Sequence, residues 1–380
     1  MISRKAQEIP PFIVMEVLEK AGEMERKGED IIHLEIGEPD FDTPECIKEA
    51  ASRAMREGKT KYTHSLGLIE LREAICEHYR DKYGVEITPA QVLITSGTSP
   101  AMLLLFSALL NPGDEVVITD PHYPCYPNFV SLVDGVPSFV NVYEAEGFQY
   151  RPEEIRKKIN PKTKGIVINS PSNPTGNLLS AERMKEIAEL GLMVISDEIY
   201  HGLVYEGKEH CILEFTDRAF VLNGFSKLYA MTGWRLGYVI APQEFARPMQ
   251  KLQQNLFISA NCFVQLAGIA ALREASQDVA RMRETYDTRR RYMLKRLQEL
   301  GFGISSPPTG AFYILANAKR FNQDSYRFAF DILKQARVAV TPGIDFGRNA
   351  EGYLRFSYAV SLEKIQEGME RLEKYLADYR

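Results

Sequence analysis

The chain has 380 residues, enough for two domains and a substantial core, and its 45% hydrophobic and 26% charged residues are ordinary for a soluble globular protein. A formal net charge of −5 argues against a broad nucleic-acid surface, and five scattered cysteines without a C-x-x-C pair argue against a disulfide framework or a metal site. The longest apolar run, Ala101–Leu110, is too short to cross a bilayer, and no signal-peptide core precedes it, so we expect a cytoplasmic protein.

Helical and turn-forming patterns alternate at the start of the chain. Apolar spacing predicts helices over Phe12–Lys27, Thr43–Glu57 and Leu68–Tyr83. Between the first two, the apolar stretch Ile31–Ile36 runs into Gly37-Glu38-Pro39-Asp40, where glycine and proline indicate a loop whose backbone can approach a ligand closely. From these residues alone, an ordinary turn is an equally good interpretation.

From Gln91 to Ala241, short apolar segments alternate with helical ones, which is typical of a largely parallel sheet with crossover helices. The segments with strand character are Val92–Thr95, Glu115–Thr119, Val136–Val142, Gly165–Asn169, Leu192–Ser196, Ala219–Leu222 and Arg235–Ala241. Ligands of such sheets bind beyond the carboxyl ends of the strands, so the polar residues that follow these segments are the first candidates for a site.

Two of the loops after these strands contain residues suited to binding charge. Ser96-Gly97-Thr98-Ser99 precedes the apolar helix Pro100–Leu110, and the free N–H groups at a helix N-terminus favour a phosphate. A plain helix cap accounts for the same residues. Asp197 follows the strand Leu192–Ser196, so its carboxylate lies where a ligand is expected.

The remainder of the chain is predicted to form a second, smaller α+β domain. Its predicted helices are Pro242–Asn255, Cys262–Glu274, Asp278–Leu300, Asp324–Gln335 and Leu362–Asp378. Its predicted strands are Phe302–Ile304, Ala311–Leu315, Val338–Val340 and Tyr353–Ser357. Arg355 stands alone in the last strand, and because an unpaired arginine facing a core is costly, it either faces solvent or binds an anion.

The stretch Asn223–Tyr238 carries the most informative pattern, with Lys227 and Arg235 in a glycine-marked loop between two predicted strands. A lysine taken alone is most often simply solvated. S-K-(x)5-G-W-R-x-G, however, resembles the cofactor-lysine signature of class I/II aminotransferases, the aspartate-aminotransferase family of pyridoxal-phosphate (PLP) enzymes. The resemblance extends from about Leu34 to Phe356 through several separate motifs.

This resemblance implies a PLP site. Lys227 would form a Schiff base with the PLP aldehyde and later carry protons as general acid and base. Asp197 would pair with the ring nitrogen, and Tyr200 and Asn173 would contact the 3′-oxygen. Tyr123 would stack on the ring. The residues implied to hold the phosphate are Gly97, Thr98, Ser99, Ser226, Arg235 and, from the neighbouring subunit, Tyr62.

A substrate site and a homodimer follow from the same resemblance. Gly37 would contact the substrate carboxylate through its backbone, with Asn173 beside it, and the guanidinium of Arg355 would bind the α-carboxylate through two hydrogen bonds. Because Tyr62 would serve the neighbouring active site, the enzyme must be at least a dimer. No metal is implied.

The implied fold is α/β, that of the fold-type-I PLP-dependent transferases. It consists of a large domain built on a mostly parallel seven-stranded sheet and a smaller α+β domain. We expect residues 1–35 to contribute to the small domain, residues 36–285 to form the large PLP-binding domain and residues 286–380 to form the small C-terminal domain.

The implied reaction moves an amino group between an L-amino acid and a 2-oxo acid such as 2-oxoglutarate or pyruvate. A PLP-dependent lyase that carries out β-elimination would use the same cofactor residues, so the sequence separates these two reactions weakly. A regulatory protein that binds PLP or an amino acid without turnover usually needs a fused DNA-binding module, for which 380 residues leave no room.

Two features depart from the family pattern. Many relatives carry serine or threonine three residues before the lysine, where Gly224 stands here. Asn255–Asn261 and the N-terminal segment offer no evident lysine or arginine for the second carboxylate of a dicarboxylic substrate. Ile9–Ile13 and Leu256–Ile258 are apolar instead, so we expect neutral amino donors to compete well with aspartate.

Overall fold

The computed structural model describes residues 2–379, which form thirteen α-helices and twelve β-strands. The helices are α1 (Arg4–Glu8), α2 (Ile13–Glu25), α3 (Glu45–Arg56), α4 (Ile69–Tyr83), α5 (Thr98–Leu109), α6 (Cys125–Leu132), α7 (Pro152–Arg156), α8 (Ala181–Ala188), α9 (Gln243–Leu256), α10 (Cys262–Glu274), α11 (Ser276–Glu299), α12 (Ser325–Ala336) and α13 (Leu362–Asp378). The strands are β1 (Ile32–His33), β2 (Val92–Thr95), β3 (Glu115–Asp120), β4 (Val136–Asn141), β5 (Thr163–Asn169), β6 (Met193–Asp197), β7 (Ala219–Gly224), β8 (Gly237–Ile240), β9 (Tyr313–Asn317), β10 (Val338–Ala339), β11 (Thr341–Pro342) and β12 (Tyr353–Ser357). None of the helices within this range is long and apolar enough to span a membrane.

Seven strands form one sheet in the order β2-β8-β7-β6-β5-β3-β4. Neighbouring strands are parallel except at β8, which runs antiparallel to both β2 and β7. The predicted mostly parallel seven-stranded sheet is therefore confirmed. Because β3, β5, β6 and β7 run in one direction, their carboxyl ends meet at one edge, which is where such sheets bind ligands.

Both faces of this sheet are covered. Every residue of β2, β6, β7 and β8 is buried, as expected for strands between two helical layers. Successive side chains of a strand point to opposite faces, so Val194 joins the core on the side of α10 and Ile195 joins the core on the side of α5. The apolar runs that predicted these strands thus fill two separate cores.

The smaller part of the fold combines both ends of the chain. Strands β11, β12 and β9 form an antiparallel sheet, and β1 pairs with β10 in parallel. Leu34, from the N-terminal segment, belongs to the same core as Phe356 and Met369. The predicted domain bounds stay a prediction, and the bound at residue 285 falls inside the continuous helix α11.

Several elements differ from those predicted. Helix α6 was not predicted; it begins at Cys125, because Pro124 already has helical backbone angles and opens the first turn. The short helices α1, α7 and α8 were not predicted. The strand predicted at Phe302–Ile304 is wrong, since only Gly303 pairs there, in a single bridge to Asn317.

The close contact between β8 and the start of α5 can be tested by a substitution at Gly237. A Cβ added at Gly237 would lie 2.8 Å from the carbonyl carbon of Gly97 and 2.9 Å from the nitrogen of Thr98, both backbone atoms that cannot rotate away. We expect Gly237→Ala to lower the free energy of unfolding by about 1–3 kcal/mol, measured by urea denaturation. Gly233→Ala is the matched control, because within residues 2–379 no heavy atom other than those of its chain neighbours lies within 4 Å of its added Cβ. Equal stability of the two variants would contradict a close backbone contact at Gly237.

Candidate active site

A cleft of about 320 Å³ opens at the edge where β5, β6 and β7 end, and β12 and α2 contribute to its walls. All the residues predicted for the site except Gly97 and Tyr62 line this cleft. The lining residues are Gly37, Thr98, Ser99, Tyr123, Asn173, Asp197, Tyr200, Ser226, Lys227, Arg235 and Arg355. The structure therefore brings together residues that are spread over most of the sequence.

Lys227 lies in the loop after β7, with its half-buried side chain lining the cleft. Its amine Nζ donates a hydrogen bond to the carbonyl oxygen of Gly37 at 2.6 Å. No carboxylate lies within ion-pair distance of Nζ in the described chain, residues 2–379. Burial lowers the pKa of Lys227 to about 8, although the negative charge of Glu38 opposes this shift. Near neutral pH the amine can therefore both give up and accept a proton.

Asp197 is the last residue of β6 and is only 4% exposed. The hydroxyl of Tyr126 donates to its Oδ2 at 2.6 Å, and the backbone N–H of Ile199 donates to its Oδ1 at 3.2 Å. Burial raises the pKa of Asp197 to about 6, although both hydrogen bonds favour the charged form. No cationic side chain of residues 2–379 is paired with this carboxylate, so it is suited to a positively charged ligand atom.

An anion-binding arrangement lies at the start of α5. Gly97 is the N-cap residue, with a φ of 95°, and the free N–H groups of the first turn begin at Thr98. Arg235 lies directly against this turn, because a Cβ added at Gly97 would be 2.5 Å from its Nη2. Gly97 therefore contacts Arg235 and does not itself line the cleft. Ser99 and Ser226 add hydroxyl groups to the cleft wall. Together these groups are suited to a phosphate.

Gly224, three residues before Lys227, is the last residue of β7 and lies against β8. A Cβ there would lie 3.0 Å from the Cα of Gly237 and 3.0 Å from the carbonyl oxygen of Leu236. The close approach of the two backbones explains why glycine stands at this position.

Arg355 lies in the middle of β12 and is 3% exposed, which excludes the solvent-facing alternative. Its Nη1 donates to Oδ1 of Asn173 at 2.9 Å, and its Nη2 donates to Oγ1 of Thr341 at 3.2 Å and to the carbonyl oxygen of Glu35. Its Nε has no hydrogen-bond partner, and no carboxylate of residues 2–379 pairs with the guanidinium. A buried cation of this kind is suited to an anionic ligand.

Asn169 and Tyr126 also line the cleft, and the sequence analysis did not single them out as site residues. Asn169 accepts a hydrogen bond from the backbone N–H of Asn173 at 2.7 Å and donates one to the carbonyl oxygen of Asp197 at 2.9 Å. Asn169 ends a predicted strand, and Tyr126 lies three residues after Tyr123 at helical spacing. Both signals were present in the sequence.

Tyr313, on β9, is a third missed residue of the cleft. Its hydroxyl oxygen lies 2.9 Å from that of Tyr200, and its ring centroid lies 4.3 Å from the guanidinium carbon of Arg355. No local pattern in the sequence marks it, because both contacts join segments far apart in the chain.

The side of the cleft formed by the N-terminal part of the chain, here called its outer part, is apolar. The side chains that line it are Phe12, Val14, Met15, Leu18 and Ile36. The carboxylate of Asp345 accepts the backbone N–H groups of Ile13 and Val14 at 2.9 and 3.2 Å, and so fixes the start of α2 over the cleft. Within residues 2–379, the cations that line the cleft are Lys227, Arg235 and Arg355.

Tyr62 does not line this cleft and is 82% exposed. The next residue is fixed in place, because the N–H of Thr63 donates to Oγ of Ser259 at 3.3 Å and its Oγ1 accepts from Nε2 of Gln265 at 3.1 Å. An ordered loop therefore presents Tyr62 at the surface of a single chain.

A family model for aminotransferases of class I and II matches residues 29–372. The (5-formylfuran-3-yl)methyl phosphate transaminase of Methanocaldococcus jannaschii is 43% identical, over 99% of this chain and 100% of that protein. The aspartate aminotransferase of Pyrococcus horikoshii is 42% identical, over 96% and 94%. The structure of Thermus thermophilus aspartate aminotransferase with maleate matches with a TM-score of 0.94 at 40% identity, over 98% and 99% of the two chains. With the cleft described above, these full-length matches show that this chain belongs to the class I and II aminotransferase family.

Proposed function

We propose that this enzyme transfers an amino group between a neutral L-amino acid and a 2-oxo acid, with PLP bound in the cleft. The observation that carries the proposal is a set of unpaired charges. The carboxylate of Asp197 and the guanidinium of Arg355 are both buried without an ion-pair partner within residues 2–379, and they share one cleft with the amine of Lys227. Such charges are costly unless ligands of opposite sign bind them.

The cleft residues fit PLP at each of its charged ends. Arg235 and the first turn of α5 are suited to its phosphate, and Asp197 is suited to a protonated ring nitrogen. Tyr123 offers a flat aromatic face in the same cleft. When bound, PLP supplies the electron-accepting ring system that allows an amino acid to lose its α-proton.

Lys227 is the proposed proton carrier. With a pKa of about 8, its amine exists in both protonation states near neutral pH, which suits a group that must take a proton from the substrate Cα and return it. Burial raises the pKa of Tyr200 well above its usual range, so this side chain stays neutral and can donate its hydrogen bond to the cofactor oxygen. Asn173 would donate to the same oxygen through its side-chain amide.

Arg355 is the proposed carboxylate-binding residue. Its Nη1 is held by Asn173, and its Nη2 by Thr341 and the carbonyl oxygen of Glu35, so the guanidinium is oriented before any ligand arrives. Preorganisation of this kind reduces the entropy lost on binding. Every amino acid and 2-oxo acid substrate carries an α-carboxylate, so this contact would serve donors and acceptors alike.

Specificity for neutral donors is supported by the apolar outer cleft. The side chain of a bound amino acid would meet residues such as Phe12, Val14 and Met15, and Glu38 is the only carboxylate besides Asp197 that lines the cleft within residues 2–379. A second substrate carboxylate would find no free cation there, which costs several kcal/mol. The relatives named above carry different substrate names, so overall identity does not decide the donor.

A homodimer is part of the proposal. Tyr62 is 82% exposed and does not line the cleft of its own chain, and Leu256 and Ile258 are 53% and 47% exposed. The hydrogen bond from Thr63 to Ser259 holds the segments of Tyr62 and Ile258 side by side, and neighbouring exposed apolar side chains mark a surface suited to a second chain. In a dimer, Tyr62 would reach the phosphate in the partner's cleft.

The cofactor assignment can be tested by covalent trapping. We expect the purified protein to be yellow and to bleach on borohydride reduction, with the label retained on Lys227. Lys227→Ala should prevent this trapping because it removes the reactive amine. Lys251→Ala, which changes an exposed lysine outside the cleft, is the control and should be labelled like the wild type. Peptide mapping that finds the label on another lysine would contradict the assignment.

Asp197→Asn should lower the activity of the enzyme and raise the stability of the cofactor-free protein. Loss of the charge that favours a protonated ring nitrogen should lower kcat at least about a hundredfold. In the cofactor-free protein the pKa of Asp197 is raised from 3.8 to about 6, so the ionised carboxylate costs stability above pH 6 and nothing below pH 4. The variant should therefore be more stable by about 2–3 kcal/mol at pH 7.5 in urea denaturation of the cofactor-free protein. A gain of the same size at pH 4, or wild-type turnover, would contradict this role.

The substrate proposal can be tested with a panel of amino donors. We expect kcat/KM for alanine, leucine, methionine and phenylalanine to equal or exceed that for aspartate, with 2-oxoglutarate and pyruvate as acceptors. Met15→Lys adds a cation to the apolar wall and should shift the ratio of aspartate to leucine by about tenfold toward aspartate.

Two results would contradict the substrate proposal. A preference of the wild type for aspartate of more than about a hundredfold would mean that a cation outside the described cleft binds its second carboxylate. Release of pyruvate and ammonia from a single amino acid, without a need for a 2-oxo acid, would indicate a lyase instead.

A further inference from the structure

We propose that Tyr313 is a positioning residue for transamination. Its ring fixes the guanidinium of Arg355, and its hydroxyl directs the hydroxyl hydrogen of Tyr200 into the cleft. This inference rests on the proposed function of the cleft and adds to it a residue that links its two binding groups. The ring and the hydroxyl make different contacts, and the hydroxyl can be removed while the ring is kept.

The sheet register places the ring of Tyr313 beside Arg355. Arg355 of β12 is paired with Leu315 of β9, and Tyr313 is two residues before Leu315, so both side chains lie on one face of the sheet. The guanidinium carbon is 4.3 Å from the ring centroid of Tyr313 and 4.9 Å from that of Phe346. Two aromatic rings therefore contact the guanidinium, which restricts its tilt and attracts its charge.

The hydroxyl of Tyr313 has one hydrogen-bond partner within residues 2–379, the hydroxyl of Tyr200 at 2.9 Å. On its other side lies Gly37, where an added Cβ would overlap the Tyr313 hydroxyl, so glycine makes room for this oxygen. Either hydroxyl can be the donor of this bond, and we assign that role to Tyr313 because no second acceptor within residues 2–379 faces its hydroxyl. The hydrogen of Tyr200 is then free for an acceptor in the cleft. A hydroxyl that accepts one hydrogen bond is also a stronger donor of the next.

A purely structural role for Tyr313 would account for the ring but not for the hydroxyl. The residue is 1% exposed, and the neighbouring core position is filled by Phe312, which has no hydroxyl. Burying a hydroxyl is costly unless it is hydrogen-bonded, and the partner here is another side chain of the cleft. The hydroxyl therefore acts on Tyr200, whereas the ring acts on Arg355.

Tyr313→Phe and Tyr313→Leu separate these two contacts. The first keeps the ring and removes the hydroxyl, and the second removes both. Phe328→Leu, which loses a fully buried ring of α12 outside the cleft, controls for the general loss of an aromatic core residue. The PLP-loaded proteins are compared by the dissociation constant of 3-phenylpropionate, a carboxylate without an amino group. The pH titration of the bound cofactor's visible absorbance is recorded in parallel.

Tyr313→Leu should weaken 3-phenylpropionate about tenfold or more and raise KM for all amino acids in parallel. Tyr313→Phe should keep that dissociation constant within about twofold of the wild type, because the ring remains. It should move the midpoint of the absorbance titration to higher pH by roughly half a unit and lower kcat, because a weaker donor at Tyr200 leaves the cofactor oxygen more basic. Phe328→Leu should match the wild type in both measurements.

The outcomes distinguish this inference from the function on which it rests. A wild-type protein that takes up no PLP would contradict the proposed function itself. A yellow wild-type protein whose two Tyr313 variants match it in 3-phenylpropionate binding and in the absorbance titration would overturn the role of Tyr313 alone. If the leucine variant does not fold, an unchanged titration in Tyr313→Phe is sufficient to overturn it.

Discussion

Arg355 and Asp197 are charged side chains that line one cleft, each at most 4% exposed and each without an ion-pair partner within residues 2–379. Removing an ion from water costs several kcal/mol even after the protein relaxes, so such groups persist only where the fold holds them firmly. Asn173 binds the guanidinium and Tyr126 binds the carboxylate, but neither neutralises the charge. Ligands of opposite charge would offset the remaining cost. The unpaired charges of the cleft therefore lower the stability of the protein without ligands, while they suit it to bind ligands of opposite charge.

The parallel sheet is what makes this arrangement possible. Strands β5, β6 and β7 end at one edge, so residues at or after their ends, Asn169, Asp197 and Lys227, share one cleft although the chain separates them. Asn169 then joins two of these segments directly, through one hydrogen bond from the N–H of Asn173 and one to the carbonyl oxygen of Asp197. At β8 the close approach of Gly237 to the first turn of α5 brings the helix N-terminus into the same site.

The inner and outer parts of the cleft serve different purposes. The inner part carries the charges and hydroxyls that any amino acid and 2-oxo acid would need, and Tyr313 connects two of these groups. The outer part is apolar and is closed by α2, whose first N–H groups are held by the carboxylate of Asp345. Donor choice is therefore expected to depend on a few side chains near the start of α2, whereas the reaction type depends on the inner residues.

By itself, the sequence determined the elements with local signals. The apolar runs predicted the strands of the sheet, and the motif around Lys227 and Arg235 predicted a site in this loop, whose two charged residues line the cleft. Strand periodicity and loop chemistry are properties of consecutive residues. Only the tertiary structure decided that Arg355 is buried rather than solvated and that Tyr313 belongs to the cleft. The reason is distance along the chain. The contact of Arg355 with Asn173 spans 182 residues and that of Tyr313 with Tyr200 spans 113, and no local pattern encodes such pairs.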